Sequence, residues 1–179
     1  MPSPPTAPDR RPGFSAADAI TVARLPIAVA FILVPAVEVR LALLVLAAAT
    51  DLGDGIVARR FGASRIGAVL DPIVDKLFMA AAFGVVAFSG TLHWYEVVGV
   101  LIRDIVASIA YFVTRGGGGP RAVPARLGGK AVTLLQLMTL LAFLLEAPQL
   151  RPLAWATAAV ALYALWDYNR LFFRKSEPS

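Results

Sequence analysis

Six stretches of roughly 20 apolar residues, each the length needed to span a bilayer, set what this chain can fold into. They run at about 18–37, 39–60, 66–89, 94–114, 128–146 and 152–173. Turn chemistry parts them: Phe61-Gly62-Ala63-Ser64, Ser89-Gly90-Thr91, the glycine run 116–119 before Pro120, and Ala147-Pro148-Gln149. A composition 58% hydrophobic with mean hydropathy +0.71 suits one membrane domain better than a soluble globule. The expected fold is an all-α integral membrane protein of six transmembrane helices over residues 14–175. The Pro-rich segment 1–13 and the segment 176–179 are expected as cytoplasmic tails, the first disordered, with no signal-peptide pattern.

Basic residues give this frame an orientation. Arg10, Arg11, Arg59, Arg60, Arg65, Arg115, Arg121, Arg126, Lys130, Arg170, Arg174 and Lys175 all fall at one side, against Arg40 and Arg151 at the other. By the positive-inside rule, both termini lie in the cytoplasm and the chain is a multi-pass protein of the inner (cytoplasmic) membrane. The formal charge of +5 is spread beside apolar segments, which points to anionic lipid headgroups and an anionic substrate, not nucleic acid. With no cysteine, disulfides, zinc-thiolate sites and thiol catalysis are excluded.

Against this apolar background stand four aspartates, Asp51, Asp54, Asp71 and Asp75. An ionised carboxylate at the centre of a membrane helix costs about 2.5–3.5 kcal/mol on insertion scales, so a group of them calls for cations. Asp51, Asp54, Gly55, Ala58 and Arg59 share one face of the second helix, and Gly67, Asp71 and Asp75 one face of the third. Packed together, these faces would gather oxygen-only ligands for two hard divalent cations, Mg²⁺ or Mn²⁺, at the cytoplasmic ends of the two spans. Gly55 and Gly67 remove side chains where a ligand must approach helix backbone, and Ala58 keeps that face shallow. Arg59 offers a planar fork to a phosphate or to an aspartate.

As a pattern the stretch reads D-x₂-D-G-x₂-A-R-x₇-G-x₃-D-x₃-D, and it resembles the signature of the CDP-alcohol phosphotransferases, membrane enzymes that build phospholipids from CDP-activated lipids or alcohols. That resemblance implies two metals on Asp51, Asp54, Asp71 and Asp75 that bridge the CDP pyrophosphate. It also implies a cytidine-phosphate pocket lined by Gly55, Ala58, Arg59 and Gly67, with Asp75 as general base. It further implies CDP-diacylglycerol as donor, release of CMP, and a homodimer.

The acceptor is expected to be an anionic alcohol. The first span carries Asp18, Thr21, Arg24 and Pro26, similar to the N-x-L-T-x-x-R-x-x-x-x-P run of bacterial phosphatidylglycerophosphate synthases and cardiolipin-forming relatives, with Asp in place of Asn and an early proline. Arg24 needs an anion, either a structural partner such as Asp18 or a carbonyl, or a substrate phosphate. Arg103-Asp104 and Gly129-Lys130-x-x-Thr133-x-x-Gln136 resemble the Arg-Glu and G-K-x-K-T-x-x-Q elements of glycerophosphate-using members. Arg103 and Lys130, helped by Arg121 or Arg126, would bind the acceptor's phosphate through charge-assisted hydrogen bonds. The plainer alternative pairs Arg103 with Asp104 or a motif aspartate. Glycerol 3-phosphate is the expected acceptor; Asp104 in place of Glu also fits phosphatidylglycerol, and inositol phosphate or serine remain further choices. The lone histidine, His93, excludes a paired-histidine phosphoenzyme. An ion-coupled transporter would need polar groups through both leaflets, and the stretches 29–37 and 78–88 carry almost none.

Overall fold

The computed structural model describes residues 16–61, 67–116 and 127–174, and among them every regular element is a helix. The elements are α1 (Ala16–Leu33), α2 (Val37–Phe61), α3 (Gly67–Phe88), α4 (Trp94–Gly116), α5 (Leu127–Leu144) and α6 (Leu150–Arg174). Each expected span is present as a helix. The first ends at Leu33, short of residue 37, because Pro35 drives Val34 out of the helical region.

As membrane crossings the six are less simple than expected: among the described residues no helix is long and apolar enough to cross a membrane. The physical reason lies in where charge falls. Asp18 and Arg24 in α1, Asp51 in α2, Asp71, Asp75 and Lys76 in α3, and Arg103-Asp104 in α4 interrupt the apolar runs.

The chain divides inside α3 into two compact units, one up to Ala82 and the other from Phe83. In the first, α1 packs on α2. One stripe of α1 is buried throughout: Asp18, Thr21 and Arg24 in its first half, then Ile27, Ala28 and Phe31. The apolar half meets α3 through Phe31 and Phe78, whose rings stand edge to face at 6.0 Å. Arg40, in the first turn of α2, donates from Nε to the Phe31 carbonyl at 3.0 Å and from Nη2 to that of Ile32 at 3.5 Å. A guanidinium there answers the unpaired carbonyls at the C-terminus of α1.

In the second unit α6 packs on both α4 and α5. Small residues let the backbones come close: Ala154, Ala158 and Ala161 are buried on α6. A Cβ placed on Gly99 of α4 would stand 3.2 Å from the Ala158 Cβ. Thr139 and Thr157 share a buried hydrogen bond of 3.0 Å between α5 and α6. Both loops are closed by local chemistry. Glu96 accepts from the His93 backbone N–H at 2.8 Å, the reach-back half of a capping box at the start of α4. After α5, Ala147 N–H donates to Ala142 O at 2.8 Å and Glu146 N–H to Phe143 O at 3.1 Å, with Glu146 at φ 51°, which is a Schellman ending.

Candidate active site

Each unit carries its own polar constellation. In the first, α1 supplies donors to the aspartates of both motif helices. Thr21 Oγ1 donates to Asp71 Oδ1 at 2.5 Å. Arg24 Nη1 stands 3.2 Å from Asp51 Oδ1, and its Nε donates to Thr50 Oγ1 at 3.3 Å. Thr50 in turn donates to the Ala47 carbonyl at 2.8 Å, which fixes its lone pairs toward Arg24. Thr21 and Arg24 are one helical turn apart, about 4.5 Å along the axis. Asp51 and Asp71 are therefore tethered to the same stripe of α1.

Exposure separates the two members of the ion pair. The Arg24 side chain is 2% exposed and that of Asp51 57%. The cation is sequestered and its fork is filled, whereas the carboxylate keeps open directions for a ligand. Arg24 thus has a structural anion, and it is a motif aspartate, a partner that the sequence reading did not name.

The helical backbone of α2 through Phe61 puts residues 51, 54, 55, 58 and 59 on one face, as their spacing predicts. The side chains of Asp54, Ala58 and Arg59, and the surroundings of Gly55, lie outside the described ones. On α3, Gly67 is buried and Asp71 and Asp75 are half-buried. Among the described residues no group of three or more His, Cys, Asp or Glu stands together as a metal cage. In donor chemistry Asp51 and Asp71 suit a hard divalent ion, since they offer only carboxylate oxygens and are already held by donors from α1.

The second constellation joins α4 to α5. Arg103 Nη1 donates to the Gly129 carbonyl at 3.2 Å and stands 3.8 Å from Asp104 Oδ1. Gln136 Nε2 donates to Asp104 Oδ2 at 2.6 Å and to the Val100 carbonyl at 3.0 Å. Thr133 Oγ1 donates to Gly129 O at 3.2 Å, and Lys130 beside it is exposed. The structure therefore brings together Arg103, Asp104, Gly129, Thr133 and Gln136. It realises the plainer alternative for Arg103, a pairing with Asp104, while that side chain stays 26% exposed. Arg121 and Arg126 lie outside the described residues. The hydroxyl of Thr21 as a donor to Asp71 escaped the sequence reading; its place midway between Asp18 and Arg24 on one helix face was the available signal.

The family model for CDP-alcohol phosphatidyltransferase matches residues 14–166, which takes in both constellations. The chain belongs to the CDP-alcohol phosphatidyltransferase family. Members of this family are membrane-associated and generally require divalent cations. Individual relatives agree with the assignment. The chain is 35% identical over 118 residues to a Mycobacterium tuberculosis protein provisionally named phosphatidylglycerophosphate synthase, covering 65% of this chain and 54% of that one. It is 37% identical over 95 residues to a Mycobacterium bovis protein provisionally named cardiolipin synthase, covering 51% and 44%. It is 35% identical over 103 residues to a CDP-diacylglycerol–glycerol-3-phosphate 3-phosphatidyltransferase of Pectobacterium atrosepticum, covering 56% and 57%. The chain spans about half the length of the curated relatives it matches.

Proposed function

We propose that this protein transfers a phosphatidyl group from CDP-diacylglycerol to the hydroxyl of glycerol 3-phosphate, releasing CMP and forming phosphatidylglycerophosphate. The observation that carries this reading is the grip of α1 on Asp51 and Asp71, two aspartates of the family signature on different helices. Holding carboxylates still with buried donors is what a cation-binding site requires.

Asp75 takes the proton of the acceptor hydroxyl, and the oxygen attacks the phosphorus that carries diacylglycerol. The bond from that phosphorus to the CMP oxygen breaks, and CMP departs with the electron pair. Asp51, Asp54, Asp71 and Asp75 would hold two divalent cations, Mg²⁺ or Mn²⁺, whose positive charge would be supplied against the pyrophosphate and the departing CMP. Gly55, Ala58, Arg59 and Gly67 receive the cytidine-phosphate end. Arg103 and Lys130, with Arg121 or Arg126, bind the acceptor's phosphate.

Exposed apolar surface supports the same assignment. Large apolar side chains stand exposed on every helix, including Leu33 (73%), Val45 (68%), Leu52 (69%) and Phe88 (96%). So much apolar surface needs covering, and a lipid substrate places the cover in a bilayer. In this reading all six helices cross the inner membrane, both termini and the aspartate motif face the cytoplasm, and the protein works as a homodimer.

The deciding measurement is CMP release from CDP-diacylglycerol with each acceptor in turn. Glycerol 3-phosphate should give the highest kcat/KM; no release with any alcohol would refute the activity. A second reading, phosphatidylglycerol as acceptor, is favoured by one observation: Asp104 holds the place of the glutamate usual in glycerophosphate-using members. Faster release with phosphatidylglycerol than with glycerol 3-phosphate would select it.

A further inference from the structure

Gln136 is 1% exposed, a neutral amide buried between two helices. Its Nε2 donates to Val100 O at 3.0 Å and to Asp104 Oδ2 at 2.6 Å, both on α4. A primary amide nitrogen carries two hydrogens, so these bonds use both, and an amide fixed at two points cannot turn. Asp104 is therefore fixed through one oxygen, while its other, Oδ1, faces Arg103 Nη1 at 3.8 Å. The guanidinium is bounded on its other side by Gly129, whose carbonyl accepts from Nη1 at 3.2 Å. A Cβ on Gly129 would stand only 2.8 Å from Arg103 Nη2. The missing side chain of Gly129 is thus the space in which the guanidinium lies.

These contacts have a common effect. An arginine side chain loses much rotamer freedom when it is held in one place. Here the holding is done in advance by neighbours. Because Gln136 is neutral, it orients Asp104 without competing with Arg103 for its charge.

We infer that Gln136, acting through Asp104, and Gly129, through the room it leaves, are positioning residues that aim Arg103 at the anionic group of the acceptor. This rests on the reading of Arg103 and Lys130 as acceptor-phosphate ligands. The two residues set affinity for the acceptor and leave the CDP-lipid end of the reaction alone. A bulkier residue at 129 moves only the far end of a flexible side chain, so it re-aims the cation at little cost to the fold.

The test is steady-state CMP release by the full chain in mixed micelles, with glycerol 3-phosphate varied at saturating CDP-diacylglycerol and then the reverse. Gln136→Leu and Gly129→Ala should each raise the acceptor KM about tenfold, the effect of one lost hydrogen bond to a charged group. The KM for CDP-diacylglycerol should not move and kcat should change little. Because both act on one guanidinium, the double variant should be no worse than the more severe single one. Arg103→Ala calibrates the experiment. If it leaves the acceptor KM unchanged, the acceptor-site reading itself fails. If it raises that KM while Gly129→Ala and Gln136→Leu do not, the positioning role is refuted. A parallel loss of kcat and of both affinities in Gly129→Ala would also refute it, as a merely structural defect. Should Gln136→Leu fail to fold, Gly129→Ala decides alone.

Discussion

The two polar constellations tie helices together with opposite signs. In the first unit the sequestered partner is a cation, Arg24, and the partner left open is a carboxylate, Asp51, more than half exposed. In the second the sequestered group is the Gln136 amide, the carboxylate Asp104 sits in the middle, and the cation Arg103 keeps about a quarter of its surface open. The first presents negative charge and the second positive charge. In both, the buried member is already satisfied and the accessible one is on offer. The reaction proposed above, between a cation-bound diphosphate and an anionic acceptor, would call for one surface of each kind.

That contrast can be broken at several levels. Chelation should have the largest effect: removing divalent ions should abolish CMP release, and Mg²⁺ or Mn²⁺ should restore it. Full activity in excess chelator would mean that the carboxylate-rich unit serves another purpose. Asp75→Asn should lower kcat about 10²–10⁴-fold, the usual worth of a general base, with an unchanged melting temperature. Activity within a few-fold of the parent protein would remove Asp75 from the base role.

Thr21→Val, close to isosteric, should weaken Mn²⁺ binding about 10–100-fold, as loss of a residue that orients a ligand generally does. Spin-resonance titration of the free ion reads this without turnover. Asp104→Asn in the other constellation should leave the same titration unmoved. Equal losses in the two variants would erase the distinction between the units. The smallest effect is expected at Gly84, inside α3, where a Cβ would meet nothing within 4 Å. Gly84→Ala should stabilise the protein by about 0.5–1 kcal/mol through helix propensity alone. It is the counterpart of Gly129→Ala, where the same added methyl enters the space of a guanidinium. A destabilised Gly84→Ala in a thermal melt would show that open space in the helix was misjudged.

Much of this was legible before any coordinates. Glycine, proline and serine clusters mark the breaks between α2 and α3, α3 and α4, and α5 and α6, because those residues supply turn conformations that helix formers do not. The third span, expected over 66–89, lies within a residue of α3, and once α2 and α3 are helices, positions three and four apart share a face because a turn holds 3.6 residues. What spacing cannot give is the neighbour. The stripe Asp18, Thr21, Arg24 is visible as one face of α1, yet nothing in α1 says that it meets Asp51 and Asp71. Likewise Arg103 was expected to seek an anion, but the carbonyl of Gly129 that it reaches is a backbone group, and a backbone acceptor leaves no mark in the sequence. The glycine at 129 could be read as part of a motif; only the guanidinium lying against it explains why a side chain there is unwelcome.

Arg40 gives the far end of α1 a consequence for the near one. By holding the Phe31 and Ile32 carbonyls it pegs α1 like a rod clamped at its tip. Sliding by a single residue would shift α1 about 1.5 Å and swing its stripe through about 100°, which would carry Thr21 and Arg24 away from both aspartates. A clamp some seven residues from the ion pair therefore keeps the depth and the heading of the whole donor row.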